Sequence, residues 1–299
     1  MSVQHDLVLV TGATGKQGGA TARRLLAAGR PVRILVRDAD SPAARELAAA
    51  GAQLAVGDFD EPDTLPAALA GAGAALLVPP AAMGPQGWDD ELEVRRGSDF
   101  IAAARAAGVG HVVFTGVGAF DDDEESLARG KRLIEEVLRT SGLRWTVLRP
   151  ARFMENYFMQ NYPVDGITGD TNRHMFPPDR PLQVIAVDDV AAFAVRAFAD
   201  PDRYHGRILE LAGDDLTPTA AAALISAHLG RPIHYEEISE EEVTRTLGPK
   251  IGLLRRRART ARGWHADIEA LRVIHPELRT LDTWLTESGA ARLKSLLDG

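Results

Sequence analysis

Four apolar residues, Leu7-Val8-Leu9-Val10, run directly into glycines at a fixed spacing, Gly12, Gly15 and Gly18, and then into helix-forming sequence closed by Gly29. A bare glycine pattern carries little information. Its place between a strand and a helix is what makes it useful. Residues without a Cβ allow a tight turn that delivers backbone N–H groups and the positive end of a helix to one point. A pyrophosphate fits that point. The loop Gly12-Ala13-Thr14-Gly15-Lys16-Gln17-Gly18 is therefore expected to bind a dinucleotide. The alternative is a glycine-rich turn that binds nothing.

The same rhythm continues. Short apolar runs at 32–36, 53–56, 75–78, 111–115 and 144–149 alternate with helical patterns at 42–50, around 64–69, 89–107 and 126–140. Continuous apolar strands separated by helices indicate a parallel sheet covered on both faces. The fold class expected is α/β, a Rossmann doubly wound sheet with a smaller C-terminal substrate lobe, its ligand crevice at the strand C-termini. After Pro150 the pattern breaks. Residues 151–180 are loop-rich and hold Phe153, Met154, Tyr157, Phe158, Met159, Tyr162, Met175 and Phe176, of which the cluster from Phe153 to Tyr162 reads as the floor of an apolar pocket or as core between the lobes. Residues 1–150, with 182–214 returning, are assigned to the Rossmann domain, and 151–181 with 215–299 to the substrate lobe.

A chain of 299 residues can bury a sizeable core. It has no cysteine, which excludes disulfides, thiolate nucleophiles and Cys-ligated metals, and no metal site is expected. The net charge of −8 argues against a general polyanion binder, so no nucleic-acid partner is expected. No apolar run reaches membrane-spanning length and no basic leader opens the chain; a cytoplasmic protein without a membrane partner is the expectation. Lysine occurs only at 16, 131, 250 and 294, so each can be weighed singly.

The end of the second strand senses the adenosine ribose. An acid there accepts from a 2′-hydroxyl, and a base suits a 2′-phosphate. Arg37 comes first and offers a planar fork, which favours NADP(H), with Asp38 facing solvent or capping. Lys16 adds positive charge or is simply exposed. Asp58 accepts from the adenine amino group with Phe59 beside the ring, or the pair is a plain turn. Pro79 and Pro80 end the fourth strand and flank the cofactor.

Taken together, G-A-T-G-K-Q-G at 12–18, V-R-D at 36–38, G-D-F at 57–59, the block from Gly130 to Asn156 and V-D-D-V-A at 187–191 resemble the NmrA-like branch of the atypical short-chain dehydrogenases. The resemblance covers roughly residues 5–240. It implies an NADP(H)-preferring Rossmann domain and a C-terminal lobe that forms the substrate cleft. It also implies that Lys131 lies near the nicotinamide ribose and that Phe153 and Asn156 line the nicotinamide side. The group includes quinone and aromatic reductases and non-catalytic redox sensors.

Standard short-chain dehydrogenases pass a proton through Tyr-x-x-x-Lys. Here the residues four before the lysines are Gly12, Leu127, Thr246 and Ala290, so that motif is absent. Lys131 remains the candidate catalytic residue, stabilising developing negative charge; otherwise it binds ribose or faces solvent. Thr115 donates to substrate or merely ends its strand. Trp88 is a lid residue or packs. His111 reads as structural, and His174, in the irregular segment, is a lesser candidate to reach the cleft. Asp121 to Glu125 reads as a solvated loop, and Arg255-Arg256-Arg257-Ala258-Arg259 first as a solvated helix face and second as a partner or dimer contact. The expected function is an NADPH-dependent reductase of a small quinone, enone, imine or ketone, working as a monomer or homodimer. The alternative is an NADP(H) redox sensor that controls a protein partner.

Overall fold

The computed structural model describes residues 6–80, 82–84, 87–118, 129–160, 165–257, 259 and 263–298. Strands and helices alternate through the first half: β1 (Val8–Val10), α1 (Lys16–Ala27), β2 (Val32–Val36), α2 (Pro42–Ala49), β3 (Gln53–Val56), α3 (Leu65–Leu69) and β4 (Ala74–Leu77). A short hairpin of β5 (Met83–Gly84) and β6 (Gly87–Trp88) precedes α4 (Asp90–Ala106), β7 (His111–Thr115), α5 (Arg129–Thr140) and β8 (Arg144–Pro150). Then come β9 (Arg152–Phe153), β10 (Ile167–Thr168), β11 (Thr171–His174), β12 (Leu182–Ile185), α6 (Val187–Ala199), α7 (Pro201–Tyr204) and β13 (Arg207–Leu211). β14 (Asp214–Leu216), α8 (Pro218–Leu229), β15 (His234–Glu237), α9 (Glu240–Leu247) and α10 (Pro249–Arg257) follow, with shorter helices to residue 297.

The central sheet has the order β13-β8-β7-β4-β1-β2-β3. β1 pairs in parallel with both β2 and β4, β2 with β3, β4 with β7, and β7 with β8. This is the doubly wound Rossmann arrangement. Strand order reverses between β1 and β4, so the loops that leave their C-termini flank the switch point where such folds bind ligands. β3 departs from the expected covered strand. It forms the sheet edge, and Val56 is 64% exposed.

The chain divides into two compact units. One comprises residues 1–117, 128–149 and 190–209; the other comprises 118–127, 150–189 and 210–299. The core of the first is built from Leu9, Leu77, Phe100, Val112, Phe114, Ile134, Leu138 and their neighbours. Within it α4 and α5 touch through two reciprocal glycines. A Cβ on Gly97 would lie 2.6 Å from the Ile134 side chain, and one on Gly130 would lie 2.3 Å from the Glu93 carboxylate. Each small residue admits a large one from the opposite helix, and the four-residue spacing repeats the contact one turn on. His111 is buried at the start of β7, with Nε2 2.9 Å from the Thr146 hydroxyl.

The second unit has its own core, where Met154, Tyr157, Ile167, Val184, Ile225, Leu281 and Trp284 meet. Met154 and Tyr157, from the aromatic- and Met-rich stretch, are thus core rather than an exposed pocket floor. Its two sheets are β10-β11-β15 and β14-β12-β9. Buried Asp189 accepts from the Arg279 guanidinium and backbone amide and pairs with His275, satisfying a carboxylate that would otherwise be costly to bury. The late arginines are not a wholly solvated face. Arg255 is buried against Glu237 and the Ile238 carbonyl, while Arg256 bonds Glu240 and Arg259 bonds Glu237.

Candidate cofactor and active site

Gly12 has φ +62, a left-handed value that favours glycine, and the Gly15 amide, three residues on, donates back to the Gly12 carbonyl at 2.9 Å. A Cβ at Gly18 would lie 2.4 Å from the Gly12 carbonyl and from the Thr11 oxygen, so α1 can approach the turn only with glycine there. Gly15 caps α1 without a side-chain hydrogen bond, and the first turn holds no acid. The helix therefore offers amides and a positive dipole end to an anion. Ala13 is buried, Thr14 and Lys16 are exposed, and Gln17 is half-buried. The Gln17 Oε1 is buried with no partner among the described residues, an acceptor suited to a ligand hydroxyl or amide. These residues fit a bound dinucleotide.

Thr11, which sequence reasoning missed, ties the two central strands together at this point. Its hydroxyl accepts from the Val78 amide at 2.8 Å and lies 3.0 Å from the Leu76 carbonyl. Val78 is thereby held against Gly12, where a Cβ would approach it to 3.1 Å, and Pro79 and Pro80 continue from it beside the glycine turn. A threonine between an apolar run and the first glycine was the available signal.

Arg37 stands exposed just beyond β2, and the exposed Asp38 carboxylate accepts from the Asp40 amide in a local turn. Asp58 follows β3 and accepts from the Asp60 amide at 3.0 Å. Phe59 takes a different direction from that expected. Its ring is buried and stacked on Phe100 at 5.6 Å, so it belongs to the core rather than to a ligand surface. Arg96 closes a fork on Asp60 at 2.6 and 2.8 Å and holds that carboxyl below its ordinary range.

Lys131 lies in the first turn of α5 and is paired with Glu93, a fully buried residue in the first turn of α4. Four residues on, buried Glu135 takes the Arg149 guanidinium at 2.6 Å. Gly116 makes room there, since its Cβ would fall 2.7 Å from Glu135 Oε1. Thr115 ends β7 with its hydroxyl 3.4 Å from the Leu77 carbonyl and is itself buried. Glu93 was not legible: in sequence it is one acid among several opening a helix. The Trp88 side chain and residues 121–125 and 127 lie outside the described residues.

Phe153 and Asn156 belong to the second unit. Phe153, half-buried, pairs with Ile185 in the small sheet, and the Asn156 amide donates to Asp165 at 3.1 Å. Asp165 also receives Arg152 and sits 3.5 Å from His174. Burial pushes the Asp165 carboxyl up, but Arg152 and His174 beside it outweigh this and hold it well below the carboxylate range. Burial lowers His174, whose ring also stacks on Phe176 at 4.5 Å. Arg152, Tyr157, Asn172, His174 and Tyr235 line a cavity of about 10 Å³, enough for one water. No group of acids and histidines that could hold a metal occurs among the described residues. No described helix is long and apolar enough to cross a membrane.

The fold and the glycine turn define a class, the Rossmann-type nucleotide-binding proteins. Residues 4–261 match the model of the NmrA-like family, and the chain belongs to that family. It is 34% identical over 242 residues to an NAD(P)H azoreductase of Xenophilus azovorans, covering 81% of this chain and 80% of that one. It is also 34% identical over 247 residues to the (4-alkanoyl-5-oxo-2,5-dihydrofuran-3-yl)methyl phosphate reductase of Streptomyces griseus subsp. griseus, covering 82% and 81%. The solved structure of NmrA, a negative transcriptional regulator, in complex with NADP shares the fold with TM-score 0.77 at 20% identity, over 98% of each chain.

Proposed function

We propose that this chain is an NAD(P)H-dependent reductase, preferring NADPH, that acts on a small conjugated or carbonyl-type molecule. The observation that carries the reading is the turn from Gly12 to Gly18: a left-handed Gly12 and a Gly18 that leaves no room for a Cβ, at the sheet's switch point, opening a helix with an uncapped N-terminus. The two reductases it resembles at 34% identity over most of their length support the same class of reaction. When bound, the reduced nicotinamide supplies a hydride to an acceptor.

In this reading the α1 amides and the turn from Gly12 to Gly18 hold the pyrophosphate, and the Arg37 fork takes the 2′-phosphate. Asp58, Pro79 and Pro80 border the nucleotide. The family resemblance assigns Lys131 to the nicotinamide-side ribose, and Phe153 and Asn156 to the nicotinamide side. With no Tyr-x-x-x-Lys pair in the chain, solvent or a substrate group supplies the proton.

A panel of quinones, enones, imines, ketones and azo compounds, followed by loss of NADPH absorbance, tests this. Turnover of at least one class is expected. Tight NADPH binding with no oxidation anywhere in the panel would overturn it and leave an NADP(H)-sensing role. A sensor must bind NADP⁺ and NADPH unequally.

A further inference from the structure

Glu93 is a fully buried carboxylate that the proposed chemistry does not use. One of its oxygens takes the Lys131 ammonium, and the other, Oε2, is buried with no partner among the described residues. Such a group is a poor choice for stability alone. An apolar side chain of similar volume would avoid both the desolvation of the charge and the unsatisfied oxygen. Its surroundings are nevertheless shaped to keep it. Gly130 leaves out the Cβ that would collide with Oε2, and the first turn of α4 places the carboxylate at the positive end of a helix dipole. Lys131 has the opposite relation to its own helix, since a cation in the first turn of α5 meets the positive dipole end. The pair offsets the unfavourable placement of the cation, and it fixes a long, flexible side chain whose free rotamers would otherwise have to be frozen on ligand binding.

We propose that Glu93 is a positioning residue whose buried carboxylate sets the place and orientation of the Lys131 ammonium for the ribose of the bound cofactor. This rests on the reading that Lys131 meets the cofactor. Held by the Glu93 carboxylate, Lys131 is presented to the ribose as a fixed hydrogen-bond donor.

The test is a double-mutant cycle read by NADPH affinity, using E93Q, K131M and the double variant, each first checked for native circular dichroism. The expected result is a Kd raised about tenfold in each single variant, ~1.4 kcal/mol, with the double variant no weaker than K131M. E93D is expected to recover part of the loss. Losses that add in the double variant would show Glu93 acting independently of Lys131 and overturn the proposal. So would an unchanged Kd in E93Q beside a weakened K131M. An unchanged Kd in K131M itself would overturn the cofactor reading of Lys131, and this proposal with it. Should E93Q not fold, the native chain answers the question. With four lysines, ¹⁵N-lysine NMR resolves the side chains individually. The Lys131 ammonium is expected to persist against solvent exchange and to shift on adding NADPH; a Lys131 signal that exchanges as freely as the others and does not respond to NADPH would overturn the proposal.

Discussion

The Thr11 hydroxyl takes the Val78 amide at 2.8 Å and thereby locks the two strands that flank the switch point to each other. Thr11→Val keeps the volume and removes the hydroxyl, leaving a Val78 N–H without its acceptor. A loss of about 1–3 kcal/mol is expected in urea unfolding, together with weaker NADPH binding, because Val78 packs on Gly12. Thr11→Ser is expected to stay close to the parent in both measurements.

The glycine turn should show graded tolerance. A Cβ at Gly18 meets backbone at 2.4 Å, while one at Gly15 meets only the Gly12 carbonyl at 3.3 Å. Gly18→Ala is expected to abolish NADPH binding in a fluorescence titration with circular dichroism still helical. Gly15→Ala is expected to weaken binding without abolishing it. Equal affinity in the two variants would refute this account of the loop.

Arg37 decides cofactor preference if its fork meets a 2′-phosphate. Removing a hydrogen bond to a charged group is worth about 1.5–3 kcal/mol, so Arg37→Ser is expected to cut the NADPH-to-NADH ratio of kcat/KM by about 10–100-fold. NADH kinetics should barely change.

His111 sets a pH dependence of stability. Burial pushes its imidazole down from the ordinary 6.5 to about 4. The folded chain therefore keeps His111 neutral where the unfolded chain has begun to bind a proton. The stabilisation is complete above pH 6.5 and is lost as pH falls through about 4. It amounts to roughly 3 kcal/mol. Urea unfolding across that window should show His111→Gln losing stability less steeply than the parent. Parallel curves would remove His111 as the cause.

The contact between α4 and α5 leaves no room for a methyl group at either glycine. Gly97→Ala drives a Cβ into Ile134, and an overpacked core position costs about 1–3 kcal/mol. A lowered thermal midpoint is expected, with NADPH affinity falling as Lys131 shifts.

What the sequence disclosed was local. The strand, the turn and the start of α1 lie within a few residues of one another, and backbone sterics alone dictate their shape. Alternation of apolar runs with helical patterns carried the doubly wound sheet for the same reason. Residues whose surroundings come from distant elements were less legible. The Phe59 ring was expected beside a ligand, yet its direction is decided by Phe100 on α4. The apolar residues of β3 imply burial on both faces, but only strand order shows that β3 is an edge. Arg255 looks solvated until Glu237 and the Ile238 carbonyl are brought to it. Glu93 becomes distinguishable from its acidic neighbours only when α5 lays Gly130 and Lys131 against it.

The reciprocal glycines of α4 and α5 have a consequence for how this lysine can vary. Lys131 is measured out from a helix-to-helix contact rather than from the tip of a connecting segment. One added carbon at Gly97 or Gly130 meets the opposite helix and moves the ammonium at once. Tolerance to change here follows the spacing of two axes, and a deep mutational scan should find the two glycines far less replaceable than the exposed residues of the same two helices.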